Sequence, residues 1–249
     1  SSGNNCQNHS AMKIFYLVFI SILALAACKD SSVKTTQGSM FPRGGDEKHL
    51  DRFEHEIQAF EAMDKEKMPE KQGILFIGSS SIRMWQTLEN DFAPLPVLNR
   101  GFGGSTIPEV NYYAERILFK YEPKVIVFYC GENDVAQETQ PVVVFKNFKK
   151  LAGKIEQRLP NTKFVFISLK PSPSRWHLWK QLQQVNSMVS QFVESRPNFR
   201  FLDIQKSLLL PAGEPDPAQF LEDKLHMNSS GYQKWVEMVK PVVAEFYTL

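Results

Sequence analysis

Ile74-Leu75-Phe76-Ile77-Gly78-Ser79-Ser80-Ser81 joins an unbroken apolar run to a glycine and three serines. Four consecutive large apolar residues have the length of a strand covered on both faces and are too few for a helix. The glycine permits a sharp turn. A serine placed between that turn and a following helix exposes its hydroxyl and aims its own N–H where an oxyanion can sit. Serines in such a place more commonly serve as turn residues or helix caps, so the stretch by itself establishes a strand, a turn and a helix start. Further apolar runs at 97–98, 125–129, 164–169 and 199–202 alternate with helical stretches at 108–121, 141–159, 176–194 and 229–247. Strands alternating with helices predict an α/β fold, a parallel sheet between two helical layers. In such a sheet ligands bind beyond the carboxyl ends of the strands.

Upstream, Met12-Lys13 opens an apolar run that ends in Leu25-Ala26-Ala27-Cys28. The run is shorter than the roughly 20 residues that span a bilayer and fits the apolar centre of a secretory signal. The last four residues resemble a lipobox, which implies cleavage before Cys28, acylation of its thiol, and an exported bacterial lipoprotein facing the periplasm or cell surface. Residues 1–11 read as a tag or upstream extension, 12–27 as the signal, 28–45 as a flexible Ser/Thr/Gly/Pro tether and 46–249 as one sizeable domain. From Asp46, a suitable N-cap, Leu50, Phe53, Ile57 and Phe60 recur at helical spacing and predict an amphipathic helix that ends before Pro69, its charged face solvated.

A formal charge of +2 over 249 residues gives no basic groove for nucleic acid and no electrostatic membrane patch, so small or neutral substrates fit best. With Cys28 acylated, Cys130 is a lone thiol closing an apolar run, a small buried hydrophobe by its setting. His49, His55 and His177 read as surface residues without metal-ligand spacing, and no metal or other cofactor is expected.

Three more motifs follow the serine turn in order. Asn99-Arg100-Gly101-Phe102-Gly103-Gly104-Ser105-Thr106 fails as a dinucleotide fingerprint, because Thr106 stands where the third glycine belongs. It suits a close-approach loop whose Gly104 N–H donates to an oxyanion. Gly131-Glu132-Asn133-Asp134 follows the most apolar strand and offers the Asn133 amide as a further donor, with Asp134 as a brace for the loop. Asp223-Lys224-Leu225-His226 sets a carboxylate and an imidazole three residues apart before the last helix, so Asp223 can fold back and fix the ring tautomer. Ser81-Ile82 occupies the place of the second glycine in a Gly-x-Ser-x-Gly elbow, which argues against an α/β-hydrolase.

From about Gly73 to Tyr247 these motifs resemble the SGNH hydrolases, also called the GDSL esterase/lipase family, in the bacterial branch similar to platelet-activating-factor acetylhydrolase catalytic subunits. The resemblance implies a flavodoxin-like sheet of five parallel strands. It implies Ser80 as nucleophile, Asp223 and His226 completing a triad, and the Ser80 N–H, Gly104 and Asn133 as oxyanion donors. The usual Gly-Asp-Ser-Leu reads Gly78-Ser79-Ser80-Ser81 here, without the Asp. Ser80 remains the choice among three serines because it is second after the glycine, and alternation aims Ser79 and Ser81 elsewhere. The expected activity is cleavage of a small ester, an acetylated sugar or a phospholipid-like molecule. Trp85, Trp176 and Trp179 are candidates for the mouth of the site or for the core. The competing expectations are a non-catalytic lipid-anchored binder of acylated glycans and a nucleotide-binding glycine loop.

Overall fold

The computed structural model describes residues 47–249. The expected extension, signal, acylation site at Cys28, tether and Asp46 cap all lie outside the described residues. Five strands, β1 (Ile74–Gly78), β2 (Val97–Gly101), β3 (Val125–Tyr129), β4 (Lys163–Ile167) and β5 (Phe199–Leu202), form one parallel sheet in the order β2-β1-β3-β4-β5. The expected three-layer α/β/α architecture is what forms. Every residue of β1 and β3 is buried, as runs of Ile, Leu, Val and Phe that end only in Gly78 and Tyr129 require. The edge strands differ from expectation: β2 and β5 each leave three residues only partly covered, because a neighbour is missing on one side. β2 also continues past its two apolar residues. Asn99 donates to the Ile82 carbonyl at 2.7 Å, and Arg100 donates to the Tyr121 hydroxyl at 2.7 Å and to Asp64 at 2.5 Å. Hydropathy cannot register a polar strand residue whose partners arrive from other elements.

The first helix also departs from its expected outline. Glu47–Phe53 is a 3-10 turn, and α1 proper spans Glu54–Glu66. Phe53 sits at the junction and packs edge-on against Phe102 at 5.3 Å, a tertiary contact that fixes the tighter turn. The charged face of α1 is not simply solvated. Arg116 of α4 (Ile107–Ile117) reaches Glu54 at 2.8 Å and Glu61 at 2.7 Å, while Asp64 forms the buried pair with Arg100.

The short helices α2 (Ser80–Arg83) and α3 (Leu88–Phe92) follow β1, and α5 (Glu132–Ala136) follows β3. The longer ones are α4, α6 (Pro141–Arg158), α7 (Trp179–Val193) and α8 (Ser229–Thr248). α4 and α7 are trimmed relative to their sequence periodicity by 3-10 turns at Phe119–Tyr121 and Trp176–Leu178. Neighbours α1, α4, α6 and α7 pack in series over one face of the sheet, and α3 and α8 cover the other, as right-handed crossovers dictate. Trp85 belongs to the core: it is 1% exposed and meets Phe76, Phe92, Tyr232 and Trp235 at centroid distances of 5.2–5.8 Å. A fully buried aromatic of this size contributes about 1.5–3 kcal/mol, so this cluster is a main anchor between α8 and β1.

The strand order reverses between β1 and β3, which both follow from the sheet centre but lead to crossovers in opposite directions. The loops after these two strands therefore diverge and leave a crevice at the carboxyl edge. The segments that follow β1, β2 and β3 carry Ser80 at the start of α2, Gly104 in a turn and Asn133 in the first turn of α5.

Candidate active site

Gly78 ends β1 with φ 141°. A Cβ there would lie 2.0 Å from the Tyr129 carbonyl oxygen of β3, so only glycine lets the chain turn this close to its neighbour. The turn puts Ser79 at the N-cap of α2 and Ser80 at its first helical position. First-turn N–H groups have no partner inside a helix, and the Ser80 N–H makes no backbone hydrogen bond among the described residues. Ser79 and Ser81 are each 3% exposed, and Ser81 turns inward, where its Oγ accepts from Lys170 Nζ at 3.4 Å. Ser80 alone of the three meets an imidazole: its Oγ lies 2.9 Å from His226 Nε2.

His226 arrives on the loop before α8, across 146 residues of sequence. Asp223 builds that loop. Its Oδ1 accepts from the Leu225 and His226 backbone N–H groups at 2.9 Å each, and Lys224 takes φ 57° to close the turn. Its Oδ2 lies 2.6 Å from His226 Nδ1. Burial opposes ionisation of this carboxyl, but the hydrogen bonds from the ring and the two backbone groups outweigh it and hold the pKa down at about 2. A carboxylate that stays ionised fixes the proton on Nδ1 and leaves the Nε2 lone pair facing Ser80 Oγ. The arrangement can take a proton from the hydroxyl and hold the resulting imidazolium.

The two further expected donors, Gly104 and Asn133, lie next to one another on the neighbouring segments. Gly104 follows β2, and a Cβ on it would stand 3.7 Å from Asn133 Nδ2, so the loop and the amide face each other directly. Asn133 lies in the first turn of α5, 9% exposed. Its Nδ2 donates to the Ser105 carbonyl at 3.1 Å, and its Oδ1 accepts from Arg175 Nη2 at 2.8 Å. Asp134 braces the same region by accepting from the Ile107 N–H at 3.2 Å. Burial pushes its carboxyl up to about 7, with the Ile107 and Asp134 backbone N–H groups opposing and the Glu109 charge adding to the rise.

The glycine loop is also held from outside. Gly103 N–H donates to Glu56 at 3.0 Å, and Arg52 reaches the Gly104 carbonyl at 3.3 Å while pairing with Glu109. Glu109 closes a capping box with Thr106 at the start of α4.

All five residues expected at the site therefore gather at one edge of the sheet. Cys130 is fully buried, its thiol pushed well up by burial, and it donates to the Ser105 carbonyl at 3.2 Å. His55 and His177 are exposed. Trp176 and Trp179 are half-buried and stacked on one another, centroids 5.7 Å apart at 21°. Sequence reading missed Arg175, Lys170 and the part played by Glu132. Lys170 and Glu132 form a buried pair at 2.8 Å, 1% and 3% exposed, and Arg175 Nη1 lies 3.2 Å from the other Glu132 oxygen. The available signal was position: Lys170 and Arg175 flank the loop after β4, on the same edge as the serine turn.

A model of the GDSL-like Lipase/Acylhydrolase family matches residues 78–234. No curated protein matches the chain. Among solved structures, a Streptococcus pneumonia protein provisionally named a platelet activating factor superposes with TM-score 0.69 at 18% identity, over 78% of this chain and 94% of its own. A GDSL-like lipase from Bacteroides thetaiotaomicron superposes with TM-score 0.62 at 19% identity, over 79% and 98%. A catalytic mutant of an acetylxylan esterase from Geobacillus stearothermophilus gives 0.54 at 15%, over 72% and 96%. At these identities the structural likeness speaks for the fold.

Proposed function

The chain belongs to the GDSL-like lipase/acylhydrolase family, an esterase-type hydrolase, and from that premise we propose that it cleaves short-acyl carboxylic esters through an acyl-Ser80 intermediate. The observation that carries the reading is the unbroken line from Ser80 Oγ to His226 Nε2 at 2.9 Å and from His226 Nδ1 to Asp223 at 2.6 Å.

Ser80 Oγ attacks the ester carbonyl carbon as its proton passes to His226 Nε2. The carbonyl oxygen becomes an oxyanion facing the Ser80 N–H, the Gly104 N–H and Asn133 Nδ2. When the tetrahedral intermediate collapses, the bond to the leaving oxygen breaks and His226 returns its proton to that oxygen, releasing the alcohol. A water molecule then attacks the acyl-serine and gives its proton to His226. The second collapse expels Ser80 Oγ, which takes the proton back and frees the carboxylic acid. Throughout, the ionised Asp223 stabilises the imidazolium.

Substrates of the class acetylated sugar or acetylated or lyso-phospholipid fit this site. The half-buried Trp176/Trp179 stack, one residue beyond Arg175, offers an apolar and aromatic surface beside the loop. The acetylxylan esterase among the structural relatives supports the sugar ester as the first to try. We further propose that the protein is exported and anchored through acylated Cys28, facing the periplasm or cell surface. Fatty-acid labelling of cells that is unchanged by Cys28→Ala would remove that part.

The deciding assay compares aryl acetate hydrolysis by the wild type and Ser80→Ala. Loss of a triad member commonly lowers turnover by about 10⁴-fold or more, and undiminished turnover in the variant would refute the assignment. Labelling of Ser80 by a fluorophosphonate separates this reading from a non-catalytic binder. A chain-length series of aryl esters beside acetylated oligosaccharides then separates acyl preference from sugar preference.

A further inference from the structure

The Asn133 carboxamide is useful to an oxyanion only in one of its two orientations. Rotated by half a turn, it would present Oδ1 to the developing negative charge and repel it. Two contacts select the orientation independently. Arg175 is a guanidinium, with donors only, so the group it meets at 2.8 Å must be Oδ1. The Ser105 carbonyl can only accept, so the group it meets at 3.1 Å must be Nδ2. A flipped amide would set donor against donor and acceptor against acceptor. With one Nδ2 hydrogen on Ser105, the second is left for the crevice, where Gly104 faces the same nitrogen.

Arg175 is itself held. Its side chain is 17% exposed, with Nη1 3.2 Å from Glu132 Oε1, the residue immediately before Asn133. Glu132 Oε2 takes Lys170 Nζ at 2.8 Å and the Tyr129 hydroxyl at 2.5 Å. Burial alone would raise the Glu132 pKa, but Lys170 and Arg175 bring it below the ordinary carboxylate value, so the carboxylate is charged when it holds the guanidinium. Lys170 Nζ also contacts Ser81 Oγ beside the proposed nucleophile. One buried carboxylate thus ties the loop after β4 to the loop after β3.

We propose that Arg175 is a positioning residue of the oxyanion hole: held by Glu132, its guanidinium locks the Asn133 amide with Nδ2–H facing the reacting carbonyl. This rests on the esterase reading above. Arg175, hydrogen-bonded to Asn133 through Nη2 and ion-paired with Glu132 through Nη1, need not touch substrate, so its effect falls on turnover and not on substrate binding.

The test is a double-mutant cycle on aryl acetate hydrolysis with Arg175→Met and Asn133→Ala. Losing one oxyanion donor outright costs about 10²–10³ in kcat. Arg175→Met leaves Asn133 its bond to Ser105, so the expected fall in kcat is smaller, about tenfold, with KM within about twofold. In the Asn133→Ala background the same substitution should change kcat by less than about twofold, because the amide it acts through is gone. Arg175→Lys keeps a cation on Glu132 and a single donor, and it should recover part of the loss. Thermal unfolding of each variant separates folding from turnover, since Glu132 keeps Lys170 and Tyr129 as partners. Three results would overturn the proposal: unchanged kcat in Arg175→Met, an equal fall in both backgrounds, or a raised KM with kcat intact, which would make Arg175 a substrate contact. A wild type that hydrolyses no ester would instead defeat the functional reading from which the proposal starts, and the proposal with it.

Discussion

Asp134→Asn isolates the energetic cost of placing a carboxyl under the proposed oxyanion loop. Asp134 is 1% exposed, and burial raises its pKa from 3.8 to about 7. Between those values the folded protein keeps a proton that the unfolded chain releases, so the unfolded state binds fewer protons and stability falls as pH rises. Below pH 3.8 the group costs nothing; above 7 both states are ionised and the loss levels off. With 1.36 kcal/mol per pKa unit the full loss is about 4 kcal/mol, of which about 3 kcal/mol develops between pH 4.5 and 7.5. Asparagine imitates the protonated acid: its oxygen can still accept from Ile107, and it carries no charge to set against Glu109. Urea unfolding of wild type and variant at several pH values in this window reads the effect as a difference, which cancels the other carboxylates. The wild type should lose stability relative to Asp134→Asn by roughly 3 kcal/mol from pH 4.5 to 7.5. A difference that stays constant within about 0.5 kcal/mol over that window would refute the argument, because it would place the carboxyl's folded pKa at its ordinary value.

Two other substitutions test what holds the site in place. Lys170→Met removes the closest cation from a carboxylate 3% exposed, and breaking such a pair on one side costs about 3–5 kcal/mol. Adding Glu132→Gln should restore part of that stability in chemical denaturation, and a loss below about 1 kcal/mol for Lys170→Met would contradict the burial argument. Gly78→Ala forces a methyl onto the Tyr129 carbonyl and an L-residue to φ 141°, so it should cost about 3 kcal/mol or more and depress ester turnover. Full activity and an unchanged unfolding midpoint would show that β1 and β3 tolerate separation.

Much of this was legible in the sequence because the relevant signals are local. β1 and β3 are unbroken apolar runs, the turn after β1 is marked by Gly78, and the three-residue spacing from Asp223 to His226 contains the whole fold-back. The order of the four motifs then needed only a sheet edge to bring them together. What escaped is non-local pairing. Lys170, in a loop with two prolines, carries no mark of its pairing with Glu132, 38 residues away. Arg175 carries no mark of its contact with Asn133, 42 residues distant. Arg100 interrupts β2 in any hydropathy profile, although Asp64 and Tyr121 satisfy it inside the fold. Trp85 could be placed only when residues from β1, α3 and α8 closed around it. The charged face of α1 is the same case: periodicity identifies the face but not the arginines that meet it.

The grip of α1 and of the 3-10 turn before it on the glycine loop bears on where this enzyme can be cut. The segment matched by the family begins at Gly78, yet Glu56 holds the Gly103 N–H and Arg52 the Gly104 carbonyl from upstream of it. A chimera that took everything from Gly73 onward would inherit Ser80, Asn133, Asp223 and His226 intact and leave the loop's outer support in the donor. Modularity by motif and modularity by mechanics thus have different borders in this chain, and a portable version of the site starts with the 3-10 turn that carries Arg52.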